Sequence, residues 1–508
     1  MPDRPPPEAN REPVRHSVEH PAQYGLRQWS GWLIGPGCLL ATLLVPAPEG
    51  LSPEGWRTAG VAALMAAWWI CETIPIPATA LLPLVVFPLL GLSDIKNTAA
   101  PYANPLVFLF LGGFLIALAM QRWNLHRRLA LFFIGCTGTA PARISLGFLL
   151  AAGLVSMWVS NTATALMMFP IALSVVQLVP AASREFAKTF GTVLMLAVAY
   201  GSTTGGMATL IGTPPNALLA GFVNETYQIP IGFGQWMLLG LPITLIGLPL
   251  VHVVLTRVAF RLPRGELSGM RELIGLEKAQ LGPFSRPEIA VTIVFVLTAL
   301  GWIFQPLLAR AVPMLSDTVI GMTGALLLFL IPVNVRRGEF LMDWKAARNL
   351  PWDVLILFGG GLTLAASIER HGLAAFLGSL FVVFAELPLP VTMMLVTLCI
   401  LLLTELTSNT ATAAAFLPIA AAIAVSIGEN PLLLLIPTAL AANCAFMMPV
   451  GTPPNAIVFG SGLVTLPQMA RTGFLLNLAF VPLIVAVVYF LGRLAFGIEP
   501  GVMPAWAR

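Results

Sequence analysis

Charge is what this sequence lacks most: of 508 residues, 27 are Lys or Arg and 23 are Asp or Glu, 10% in all. A soluble domain carries about a quarter, so most of this chain's surface is not built to face water. Cysteine is scarce too. Cys38, Cys71, Cys136, Cys399 and Cys444 are scattered through apolar segments without a CxxC or Cys/His spacing, which argues against a disulfide framework or a thiolate metal site. The five histidines (His16, His20, His126, His252, His371) are equally dispersed, and no HExxH, GxSxG or phosphate-loop pattern occurs. No enzymatic chemistry has a motif behind it. A net charge of +4 gives no footing for nucleic acid. The start of the chain has no apolar stretch resembling a cleaved signal peptide, and the proline- and charge-rich residues 1–28 are expected to be disordered or interfacial.

Apolar residues fill the space: they make up 57% of the chain. Uncharged runs near the roughly 20 residues needed to cross a bilayer recur along nearly its whole length, so an all-α polytopic membrane protein is expected. Candidate spans lie near 30–47, 58–74, 77–92, 104–121, 189–222, 235–258, 288–308, 318–333, 352–368, 431–463 and 473–496. Basic residues gather at 121–128, 183–188, 256–278 and 334–348, whereas 223–230 and 427–430 have none. The bias of Lys and Arg toward the cytoplasm then places the first four loops inside and the last two outside. Eleven crossings put the N-terminus in the cytoplasm and the C-terminus outside. Count and charges agree only if two further apolar regions, 144–180 and 389–427, each return to the side they entered from, as re-entrant hairpins.

Those two regions hold a repeat. "SNTATALMMFPIA" (160–172) recurs as "SNTATAAAFLPIA" (408–420), an offset of 248 that also aligns "FLFLGG" (108–113) with "ILFGGG" (356–361), Arg122 with Arg370, Ser156 with Thr404 and Pro170 with Pro418. A second string, "GTPPNAL" (212–218), returns as "GTPPNAI" (451–457) at an offset of 239. Five spans lie between the end of the 104–121 span and the end of its counterpart at 352–368, so the two copies run in opposite directions, the plan of many secondary transporters.

The residue types narrow the chemistry. Adjacent prolines remove two N–H donors and clash with the preceding turn, so both "GTPPN" runs should interrupt their helices, with "YGSTTGG" (200–206) lending conformational freedom beside the first. Ser, Thr and Asn oxygens and freed carbonyls suit a hard cation such as Na⁺, while Asn amides, hydroxyls and helix-end N–H groups can donate to an oxyanion. No Lys, Arg or His occurs in either string. An anion brought to this depth therefore needs its charge offset, and a bound Na⁺ would supply that.

Two "SNTAT" runs followed by two "TPPNA" runs, with "WWICETIPIPATALLPLVVFPLLGL" (68–92) upstream, closely resemble the divalent anion/sodium symporter family over about residues 30–496. The resemblance implies a homodimer of eleven membrane helices and two re-entrant hairpins, working in the cell membrane by an elevator movement of a transport domain against a scaffold. It implies scaffold helices over 29–103 and 288–350, repeat cores over 104–258 and 351–496, and a cytoplasmic connector over 259–287. It places one Na⁺ at Ser156, Ser160, Asn161 and the Gly212 backbone, and a second at Thr404, Thr407, Asn409 and the Gly451 backbone. The carboxylates of a di- or tricarboxylate would be held by Asn161, Thr162, Asn409 and Thr410, with Thr213, Thr452 and Pro453 nearby. Na⁺-coupled symport of a C4 dicarboxylate such as succinate is the function expected. A Na⁺-independent exchanger, a sulfate or tricarboxylate carrier, and an anion channel on the same repeat stay open. Glu405, whose counterpart in the repeat is Met157, reads as a structural partner of a helix end or hydroxyl, with a proton or cation site at membrane depth as the alternative, and Glu72 as an exposed or paired carboxylate at a span end.

Overall fold

The computed structural model describes residues 25–180, 183–262, 265–380 and 386–507, and the chain is helical almost throughout. The polar tail expected over 1–28 thus lies outside the described residues up to position 24. Among the described residues six helices are long and apolar enough to cross a membrane: Ile95–Arg122, Phe233–Ala259, Arg286–Ile303, Trp352–Arg370, Asn409–Ser426 and Leu466–Phe496. Large apolar side chains such as Leu33, Ile293, Leu297, Leu330, Phe490 and Leu494 stand exposed on the outer helices, a surface that water would penalise and lipid would not.

The first two helices, Leu26–Leu44 and Pro53–Cys71, lie close because small residues face large ones. A Cβ on Gly35 would meet the Trp68 ring at 2.8 Å, and the Trp68 indole donates to Gly31 O at 3.1 Å. The second helix stops at Glu72, in left-handed conformation (φ 49°) and paired with Arg27 at 3.1 Å. The single span expected at 77–92 is two short helices, Ile76–Thr79 and Leu82–Leu89. Prolines crowd this stretch, and the turn carbonyl of the buried Ala80 accepts from the Tyr102 hydroxyl at 2.5 Å.

The basic loops at 121–128, 256–278 and 334–348 meet on one face. Arg122 pairs with Asp343 at 2.7 Å, Arg127 with Glu277, and Arg128 with Glu288 at 3.0 Å. Asp343 also caps a short helix through Ala346 N, and that N–H together with Arg122 holds its carboxyl below the usual range. The unbasic loops meet the C-terminal residues elsewhere: Glu429 accepts from Gly501 N at 2.7 Å, and Tyr227 packs edge-on against Trp506.

At the centre lie two helical hairpins and two interrupted helices. The first hairpin runs Pro141–Ser156 and Asn161–Gln177; the second runs Leu389–Thr404 and Asn409–Ser426. The interrupted helices are Arg184–Gly206 followed by Pro214–Tyr227, and Leu432–Ala442 followed by Pro453–Phe459. The helices break before the prolines, over 207–213 and 443–452. Each proline pair instead opens the second half-helix, where its missing N–H has no partner to lose.

The glycines beside the first break do not supply freedom. Gly201, Gly205 and Gly206 are helical, and none has positive φ. They admit a neighbour: a Cβ on Gly205 would lie 2.0 Å from Gly153 O, and one on Gly201 would lie 2.7 Å from Leu149 O. Hairpin arm and interrupted helix therefore touch backbone to backbone, a contact typical of small residues in apolar surroundings.

Candidate functional site

Each hairpin tip meets its own interrupted helix, and the two junctions are built alike. In the first, Ser156 is fully buried and its hydroxyl donates to Asn161 Oδ1 at 2.6 Å. In the second, Thr404 is fully buried and donates to Asn409 Oδ1 at 2.7 Å. Each pair spans a tight turn, from the last residue of one arm to the first of the next. Among the described residues neither amide nitrogen has a partner, and neither is enclosed.

That arrangement fixes what each atom can offer. The Ser156 proton points at the Asn161 oxygen, and the single Thr404 proton is shared between Asn409 Oδ1 and Ala442 O, so hydroxyl and amide oxygens present lone pairs together, as a hard cation requires. The amide NH₂ faces the opposite way, with two protons for an acceptor. One Asn can therefore serve a cation with one end and an oxyanion with the other.

The interrupted helices bring the remaining groups. A Cβ on Gly206 would fall 2.6 Å from Asn161 Oδ1 and 3.2 Å from Gly212 O, so Ser156, Asn161 and the Gly212 carbonyl converge. The Thr209 hydroxyl ties this break to the tip, donating to Met157 O at 2.5 Å, while Gly212 N donates to Thr209 Oγ1 at 3.0 Å. On the other side Thr404 also reaches Ala442 O at 2.8 Å, and a Cβ on Gly451 would sit 3.3 Å from Glu405 O. The second tip thus meets its break as the first does.

The other expected residues divide. Thr162 and Thr410 stand half-buried beside the two Asn residues. Ser160 caps the second arm, its hydroxyl accepting from Ala163 N at 3.4 Å. The Thr407 hydroxyl turns into the hairpin, bonded to Leu403 O and to Thr412 Oγ1 at 2.6 Å. Thr213 is drawn away from the tip, donating to Asn443 Oδ1 at 2.7 Å, and Thr452 accepts from Asn455 N at 3.4 Å. Pro453 is exposed.

Glu405 is a backbone staple, in the structural role expected. Its carboxylate accepts from Phe446 N, Met447 N and Met448 N at 2.9–3.0 Å and from Asn477 Nδ2 at 2.7 Å. The equivalent stretch of the first break needs no carboxylate, because Met207 N and Ala208 N bond back to Thr204 O and Gly205 O. The motif asparagines stitch the breaks from within. Asn216 Nδ2 donates to Thr209 O at 2.9 Å, and Asn455 Nδ2 to Ala445 O and Met448 O at 3.0 Å. Their part in the repeat marked them, but not whether they would serve the loop or a ligand.

Over residues 27–497 the sequence matches the family described as the sodium:sulfate symporter transmembrane region. It is 42% identical over 485 residues to the sodium-dependent dicarboxylate transporter SdcS of Staphylococcus saprophyticus, covering 94% of this chain and 93% of that protein. To SdcS of a bovine Staphylococcus aureus strain it is 42% identical over 483 residues, covering 93% and 92%. In fold it is similar to the YdaH transporter of Alcanivorax borkumensis (TM-score 0.55, 14% identity, 84% of this chain and 98% of that one). It is similar also to MtrF of Neisseria gonorrhoeae (TM-score 0.56, 13% identity, 95% and 98%). At such low identity these last two likenesses speak for the fold alone.

Proposed function

The chain belongs to the sodium:sulfate symporter family, and from that premise we propose that it is a Na⁺-coupled symporter of dicarboxylates, C4 acids such as succinate foremost. The observation that carries this reading is the twin hydroxyl-to-amide bond, Ser156 to Asn161 and Thr404 to Asn409. Each gathers oxygen lone pairs on one side of an asparagine and leaves its NH₂ free on the other.

In this reading one Na⁺ uses Ser156, Ser160, Asn161 and the Gly212 carbonyl. A second uses Thr404, Thr407, Asn409 and the Gly451 backbone. The carboxylates lie against the NH₂ groups of Asn161 and Asn409 and the hydroxyls of Thr162 and Thr410. With its hydroxyl proton committed to Asn443, Thr213 acts near the substrate through its backbone, and Thr452 and Pro453 line the same space. The motif strings hold no basic side chain, so the cations supply the compensating charge. At an effective dielectric of about 20, a cation about 5 Å from a carboxylate contributes about 3 kcal/mol. Binding of either ion thereby favours the other, which is the physical basis of coupling.

The same reading has eleven crossings, the hairpins re-entrant and the N-terminus cytoplasmic, with the C-terminus outside the cell membrane. A homodimeric scaffold frames a transport domain that moves as an elevator. The test is uptake into proteoliposomes. Succinate should accumulate above its external concentration when Na⁺ is imposed outside and not when K⁺ replaces it, with citrate, sulfate and phosphate as competitors. Equal uptake driven by internal succinate in K⁺ alone would favour an exchanger, and simple equilibration a channel; either would overturn the reading.

A further inference from the structure

The repeat predicts that whatever one interrupted helix does, its twin does too; besides the Glu405 staple, the molecule departs from this at Asn443. Asn443, 1% exposed, lies immediately beyond the half-helix Leu432–Ala442. Its side chain crosses to the other interrupted helix. Oδ1 accepts from Thr213 Oγ1 at 2.7 Å, and Nδ2 donates to Asn216 Oδ1 at 3.1 Å and to Ala439 O at 3.0 Å. The amide is fully used, and two of its bonds join opposed copies of the repeat.

Among the described residues there is no return bridge. At the offset of 239 the counterpart of Asn443 is Thr204, that of Asn216 is Asn455, and that of Thr213 is Thr452. Thr204 Oγ1 and Asn455 Oδ1 are both buried without a hydrogen-bond partner, and Thr452 turns to its own helix. Threonine lacks the amide's reach and its second donor. A single side chain therefore does what symmetry would assign to two.

The path through that side chain is short. Thr213 follows Gly212, whose carbonyl and the Asn161 amide of the first tip both lie against Gly206. Asn443 follows Ala442, whose carbonyl accepts from Thr404 at the second. We propose that Asn443 is a positioning residue that couples the two cation half-sites, holding the Gly212 carbonyl and the Thr404 hydroxyl in register so that filling one half-site prepares the other. The inference rests on the Na⁺ sites given under Proposed function. Coupling of this kind is reciprocal, so each ion raises the affinity of the other by the same factor.

The test compares Na⁺ activation of succinate uptake in proteoliposomes of the full chain with Asn443→Ala and Asn443→Ser. Na⁺-induced shifts of Tm in detergent provide a readout independent of transport. The unaltered protein should respond sigmoidally. In both variants half-saturating Na⁺ should rise about tenfold, the equivalent of one or two ordinary hydrogen bonds, and the Hill coefficient should fall toward one. Succinate KM at saturating Na⁺ should stay within about twofold. Unshifted Na⁺ curves with only a lower Vmax or Tm would overturn the inference, as would failure of both variants to insert, since either marks Asn443 as a folding residue. Absence of any Na⁺ response in the unaltered protein would instead overturn the symporter reading itself.

Discussion

Ser156 and Asn161, with Thr404 and Asn409, show how a few uncharged atoms can divide two jobs. Asn161→Ala and Asn409→Ala each remove both ends of that device, so Na⁺-dependent uptake should be lost while membrane insertion stays normal. Unchanged kinetics in both would refute the site. Ser156→Ala removes only the hydroxyl, and half-saturating Na⁺ should rise about tenfold with uptake retained at high Na⁺, a hydrogen bond's worth of positioning. Glu405→Ala leaves one buried and two part-buried N–H groups without an acceptor. With about 1–3 kcal/mol for the buried one and less for the others, thermal unfolding in detergent should show a loss of at least about 1 kcal/mol, and Glu405→Gln should lose less. The twin motifs were legible because polar residues in uncharged runs stand out and repeat. Asn443 was not, because it is a lone amide whose counterpart, Thr204, is a different residue; only a contact between distant segments gives it meaning.

At the scale of helices, most spans and both interruptions could be read from hydropathy and proline. The exact form of the breaks could not. Prolines mark where a half-helix begins, and the preceding turns unwind for reasons that lie in their partners, such as the Glu405 carboxylate and the Asn216 and Asn455 amides. Likewise "YGSTTGG" reads as freedom in sequence and is closeness in space, because the residue it accommodates, Gly153, is half a hairpin away. Gly205→Ala should force that seam apart and cost about 1–3 kcal/mol, seen as a lower Tm and reduced uptake. Gly275 provides the contrast. It lies within Met270–Leu281 with open space around its missing Cβ, so Gly275→Ala should stabilise by up to about 1 kcal/mol. Equal effects of the two changes would refute the seam.

The whole molecule sorts its loops by charge: three basic loops share ion pairs on one face, and the unbasic ones meet the C-terminal residues. Hydropathy and Lys/Arg counting reach this far because solvent acts on a membrane protein as a whole. They do not reach the association of copies, which depends on the shape of an apolar face. The homodimer we propose should appear in light scattering as a particle of twice the 54.1 kDa chain mass, once bound detergent is subtracted; a single-chain mass would refute it. The touching backbones of Gly153, Gly201 and Gly205 have one more consequence. The first tip cannot lift like a flap while the helix behind it stays, since the seam has no slack. An oversized anion lodged beneath it should therefore arrest an entire block, and the effect should reach residues 259–287, where protease cutting should slow.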